Sequence, residues 1–214
     1  MSKDRVYSQE VKDAFDRLTD AFGEIEFTGI TILTGSNGSG KSMIRKQFGF
    51  ALARELDIDG KEAHRLVMST SMDARTGSNP EMGALSGMMR DTEWIATSQD
   101  TLSNLDGLFK AAKKEKGKYL IIDEFEIGCG EETTLALALF INKKLKPLIK
   151  NGNLRGATII THSRIGVENI DCDNFINIDG LNKDEWLNRE ITPTDLVKLE
   201  ENELFFYIRD KNNE

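Results

Sequence analysis

Hydrophobic positions change their period several times along the chain, and each change marks an element. Val11, Phe15, Leu18 and Phe22 recur at helical spacing between Ser8, a suitable N-cap, and Gly23, a stop signal, which predicts an amphipathic helix over 8–22. Short strands are predicted at 24–27 and 30–34 around Thr28-Gly29, followed by a helix from Ser42 to about Leu56 that ends in the turn Asp57-Ile-Asp-Gly60. Arg65 to Thr70 reads as a strand, 102–112 as a helix, and Tyr119-Leu-Ile-Ile122 as a strand apolar on both faces. Glu132 to Lys150 has the apolar density of a helix with Pro147 near its end; 157–160 and 175–178 supply further strands, and Thr192-Pro193 opens a last helix. Leu204-Phe-Phe-Tyr-Ile208 is apolar enough to pack that helix down or to meet a partner. Between 71 and 101 the chain is rich in Met, Gly, Ser and Asp with no sustained period, which suits either a small helical lid or a loop region.

Strands that alternate with helices, two of them apolar throughout, predict an α/β fold with a mainly parallel sheet sandwiched by helices. The 214 residues, 39% of them apolar, suit a single domain over 1–214, with 71–105 as a reduced helical lid. No apolar run approaches the ~20 residues of a membrane span, and the start Met-Ser-Lys-Asp-Arg lacks a signal peptide's apolar core, so a cytoplasmic protein without membrane insertion is expected. Cys129 and Cys172 are too few and too isolated for a disulfide framework or a zinc site. The net charge of −8 disfavours a surface built throughout for nucleic acid and leaves only local basic patches as a route to such a partner. Two lysine clusters, 110–118 and 143–150, read as solvated helix faces and C-terminal turns where cations oppose the helix dipole.

The chemistry begins directly after the apolar run Ile30-Thr-Ile-Leu33. Gly35-Ser36-Asn37-Gly38-Ser39-Gly40-Lys41-Ser42 fills every fixed position of a phosphate-binding loop, in the strand-loop-helix frame that the motif requires. Its glycines let successive N–H groups turn toward one anion, Lys41 can reach the β- and γ-phosphates, and Ser42 can ligate Mg²⁺. The strand at 119–122 then delivers Asp123-Glu124: Asp123 is suited to hold Mg²⁺ and Glu124 to take a proton from attacking water. A second apolar strand ends in Thr161-His162, whose imidazole can bond a γ-phosphate and position water, whereas His64 reads as a surface residue.

These motifs, in this order, resemble the ABC-type ATPases, the class that includes transporter nucleotide-binding domains and the heads of SMC and RecF-like repair proteins. The likeness covers Ile30 to about Ser163, with 35–42 standing for Walker A, Leu120-Ile-Ile-Asp-Glu124 for Walker B with its glutamate, and Ile159-Ile-Thr-His-Ser163 for the switch-histidine strand. Glu126-Ile-Gly-Cys-Gly-Glu131 sits where the D-loop lies, without its usual residues. The resemblance implies a P-loop NTPase fold, ATP and Mg²⁺ as ligands, and two sites closed between two subunits by a signature serine. Thr97-Ser98-Gln-Asp-Thr101 is the candidate for that signature, with Ser98 toward phosphate, although Leu85-Ser-Gly87 is closer in letters. The signature's glycines are missing at 99 and 100, and no glutamine follows the strand at 65–70 to serve as the Q-loop. Phe15 or Phe22 would be the aromatic that stacks on adenine.

The function expected from residues and resemblance together is Mg-dependent ATP hydrolysis by a small soluble ATPase that dimerises or docks on a protein partner through the nucleotide. Catalysis would rest on Glu124, His162 and Lys41. An ATP-gated binding module with little turnover is the second reading, and a small-molecule phosphotransferase the third.

Overall fold

The computed structural model describes Gly23, Ile25, 27–35, Phe48, 51–59, Lys61, 65–70, 97–114 and 116–190, with Thr97, Ser98 and Asp100 as backbone only. Among the described residues five strands form one sheet: β1 (Gly29–Thr34), β2 (Val67–Thr70), β3 (Lys118–Asp123), β4 (Leu154–Ile160) and β5 (Asn174–Asn177). Their spatial order is β2-β3-β4-β1-β5, and every neighbouring pair is parallel. Among the described residues the helices are α1 (Thr97–Ala112), α2 (Glu131–Lys150), α3 (Arg164–Asn169) and α4 (Lys183–Asn188), and residues 51–56 are helical too.

A parallel sheet needs cover on both faces, and β3 shows that it has it. Tyr119, Leu120, Ile121 and Ile122 are all 0% exposed. Leu120 and Ile122 pack with Leu105 and Phe109 of α1, with Leu137, Ile141 and Leu145 of α2, and with Val167 of α3. Tyr119 and Ile121 face the opposite layer, where Phe48 and Leu52 join Leu33, Ile160 and Ile176. The buried positions of α2, namely 134, 137, 138, 141, 145 and 148, recur three and four apart, so the apolar stripe itself holds the helix to the sheet.

Several boundaries differ from the sequence expectation for identifiable reasons. β4 begins at Leu154 rather than Ala157, because Gly156 is a strand residue that serves close approach: a Cβ there would lie 2.8 Å from the carbonyl oxygen of Gly29. Arg65 and Leu66 are helical, which leaves β2 only Val67–Thr70. Gly23, expected as a stop, is itself helical. α1 starts at Thr97, five residues before the apolar period becomes visible, whereas α2 reaches Lys150 as expected, with Pro147 inside the helix. Both α3 and α4 went unanticipated, since six residues are too few to show a period. Each is instead fixed by its cap: Ser163 accepts from the N–H of Gly166, and Asn182 forms a capping box with Glu185. The expected helices at 8–22 and from Thr192, the apolar segment 204–208, His64, and residues 71–96 of the lid expected over 71–105 lie outside the described residues, while 97–105 belong to α1.

Candidate active site at the carboxyl edge of the sheet

The pairing of β1 with β4 sets Leu33 opposite Ile160, and the pairing of β4 with β3 sets Ile160 opposite Asp123. Three segments far apart in the chain therefore end in one row. The ladder continues a residue further, with Thr161 N–H donating to Leu33 O at 3.1 Å and Glu124 N–H donating to Ile160 O at 2.9 Å. Gly35, with φ 154°, is buried immediately past β1 on this edge.

The chain also leaves these strands in different directions. Downstream of β1, Phe48 and Leu52 lie in the layer on one face, whereas after β4 the chain enters α3 on the opposite face. In open parallel α/β sheets, ligands bind outside the carboxyl ends of strands that diverge in this way.

β3 ends on two carboxylates in different surroundings. Asp123 belongs to the strand and is 4% exposed. Glu124 follows with φ 53°, a left-handed conformation that costs a side-chain-bearing residue about 1–2 kcal/mol. That turn carries the chain off the sheet at once, and buried Phe125 anchors it from below. Glu124 Oε1 comes to 3.4 Å from His162 Nε2, and the two side chains keep 24% and 31% of their surface accessible. The pair therefore meets at an accessible place, at a distance from which a short hydrogen bond needs only a small movement.

Glu126, which sequence reasoning assigned only to the D-loop position, organises the other side of the histidine. Its Oε1 accepts from the Thr161 hydroxyl and from the His162 main-chain N–H, each at 2.7 Å. Thr161 Oγ1 in turn accepts from the Ser163 N–H at 3.0 Å, and Ser163 caps α3. The signal for this role was present as a third acid, three positions after Asp123 in Asp-Glu-Phe-Glu. Beside it a cavity of about 260 Å³ lies between the starts of α2 and α3, lined in part by Glu126, Cys129, Thr134 and Ser163.

Of the sequence-predicted site residues, Gly35, Asp123, Glu124 and His162 are thus brought to one edge. Ser98 lies in the first turn of α1, with its side chain undescribed, and 36–42, including Lys41 and Ser42, fall outside the described residues. Asp123 offers hard oxygen donors of the kind Mg²⁺ takes. No known protein-family model matches the chain, and no curated protein matches it.

Proposed function

We propose that the protein is an ATPase of the P-loop class, similar to the ABC type, which binds Mg-ATP at the carboxyl edge of its sheet. The observation that carries this reading is the meeting of Glu124 and His162 at 3.4 Å, beside Asp123 and on the edge where Gly35 opens the phosphate-binding motif. A carboxylate next to an imidazole, both accessible, suits deprotonation and orientation of a water molecule. Glu124 takes the proton of the attacking water, and His162 positions that water or bonds the γ-phosphate. The amides of 35–40 and the Lys41 ammonium offset charge on the phosphates. Ser42 and Asp123 would hold Mg²⁺, which supplies electrostatic stabilisation of the phosphate oxygens. In this reading hydrolysis resets a nucleotide-driven switch through which two copies, or the chain and a protein partner, associate.

Phosphate release from Mg-ATP by the purified protein tests the assignment. Lys41→Ala should abolish both binding and turnover, and Glu124→Gln should keep ATP binding while lowering the rate at least ~100-fold. A Glu124→Gln protein that turns over at the wild-type rate removes Glu124 from the mechanism. Wild-type protein that binds ATP without releasing phosphate, and scatters light as a larger species when it does, would instead mark a nucleotide-gated binding module.

A further inference from the structure

The amino edge of the sheet, opposite the carboxylates, concentrates positive charge to a degree the rest of the chain does not prepare for. Residues 107–118 and 143–155 contain ten lysines and arginines against a single acid, Glu115, in a chain whose net charge is −8. The fold joins the two segments at this edge. α1 enters β3 and α2 enters β4 on this edge, β3 and β4 are neighbours, and their two entry loops are tied together. Gly117 N–H donates to Gly152 O at 3.2 Å and Lys118 N–H to Asn153 O at 3.2 Å, while the Asn153 side-chain amide donates to Lys113 O at 3.1 Å.

Helix dipoles explain only part of this charge. A lysine in each last turn, Lys110 and Lys150, is what the negative helix ends attract. Ion pairing uses a few more: Asp106 takes Lys110 at 2.7 Å and Lys144 at 3.7 Å, and Asp171 takes Lys146 at 2.5 Å. Lys113, Lys114 and Lys116 lie beyond the end of α1, Lys143 is in mid-helix and Arg155 is on a strand. All five are exposed and form no ion pair among the described residues. On α2, Lys143 and Lys150 fall on one outward face about 10 Å apart along the axis.

We propose that this edge binds the phosphodiester backbone of double-stranded nucleic acid, independently of what is bound at the opposite edge. The composition of the surface selects the partner. Adsorption to an anionic membrane calls for apolar side chains that insert among the lysines. The exposed large apolar residues among those described, Leu102, Leu135 and Leu139, all lie outside both basic segments. Single-strand binding uses exposed aromatic stacking platforms, whereas Phe109 and Tyr119 are buried and Phe140 is half-buried against Phe109. A protein interface is normally depleted in lysine and rich in aromatics at its centre, the reverse of this surface. Lysine point charges on a rigid pair of loops match a regular line of phosphates and read no sequence.

Fluorescence anisotropy with the full chain and a labelled mixed-sequence duplex tests the proposal between about 50 and about 200 mM salt. Binding should fall steeply with salt, and the double variants Lys143→Glu/Lys150→Glu and Lys113→Glu/Lys114→Glu should each lose at least ~10-fold in affinity, with a log–log salt slope shallower by about 2. Circular dichroism should show both variants folded, since the replaced side chains are exposed. A wild-type protein that does not bind the duplex at low salt, variants that bind it as wild type does, or tighter binding to phosphatidylserine vesicles or to polyglutamate than to the duplex would each overturn it.

Discussion

Glu126 holds His162 by its backbone: one carboxylate oxygen accepts both the His162 N–H and the Thr161 hydroxyl at 2.7 Å, so the imidazole starts from a fixed point on the edge of the sheet. The other oxygen of Glu126 is buried with no hydrogen-bond partner among the described residues, so the bonds of the first oxygen carry its contribution. Removal of the acceptor should therefore be felt at the histidine. Glu126→Ala should cost roughly 1–3 kcal/mol for each donor left orphaned. Glu126→Gln, which keeps one acceptor oxygen, should recover most of that stability. Thermal unfolding of the two variants measures the first effect. If Glu126 positions His162 for hydrolysis, Glu126→Gln should lower kcat by several-fold to ~10-fold with little change in KM, as expected for lost orientation rather than lost binding.

The backbone at Glu124 allows strain and chemistry to be separated. Both Glu124→Gln and Glu124→Gly lack the carboxylate, but only glycine relieves the φ of 53°. The glycine variant should be the more stable of the two by about 1 kcal/mol, despite its larger entropy loss on folding. The proposed ATPase activity should be equally low in both. A glycine variant that is less stable than the glutamine variant would mean that side-chain contacts, not backbone conformation, decide the energetics of this turn.

What the sequence made legible was the part of the fold written in runs of consecutive apolar residues. Tyr119 to Ile122 declared a strand buried on both faces because four such residues admit no exposed side, and the carboxylates that follow could then be placed at its tip. The same logic placed Thr161 and His162 after β4. Strand order, by contrast, is a property of pairing between distant segments: nothing in Ile30–Leu33 says that it lies between β4 and β5. Glu126 escaped for a related reason, since its partners Thr161 and His162 are 35 and 36 residues away and only the fold brings them within reach. The lysines at 113–116 and 150 looked like two separate helix ends until the loops carrying them proved to be hydrogen-bonded to each other.

β1 and β4 approach each other closely at Gly156. An added Cβ would sit 2.8 Å from Gly29 O, 3.0 Å from the carbonyl carbon of Thr28 and 3.0 Å from the Tyr119 ring, and two of those three neighbours are backbone. Gly156→Ala must therefore push the strands apart, which should cost about 1–3 kcal/mol. Gly166→Ala meets the tip of the Phe125 ring at 3.0 Å, a side chain that can yield, and should cost less. Chemical denaturation of the two variants gives the ranking; a Gly156→Ala protein as stable as wild type would show that the β1–β4 spacing adjusts freely.

Tyr119 gives the fold a defined alkaline limit. Its ring lies 0% exposed between Phe27 and Phe48, and its hydroxyl shares a hydrogen bond of 2.7 Å with the Thr158 hydroxyl. Burial holds the phenol pKa well above its ordinary value near 10. In the unfolded chain the phenol loses its proton at about pH 10, whereas in the folded protein it keeps it, so above that pH the unfolded state binds fewer protons and folding stability must fall as pH rises. Below pH 10 both states are protonated and the contribution of Tyr119 is constant. Tyr119→Phe removes this dependence and leaves the Thr158 hydroxyl buried without its partner, so it should be less stable than wild type at neutral pH by about 1–2 kcal/mol. Its stability should then decline less steeply between about pH 9 and 11. Denaturation midpoints across that range, compared between the two proteins, check the sign: parallel curves would mean that the phenol ionises in the folded state, and that the aromatic layer beneath the sheet admits water.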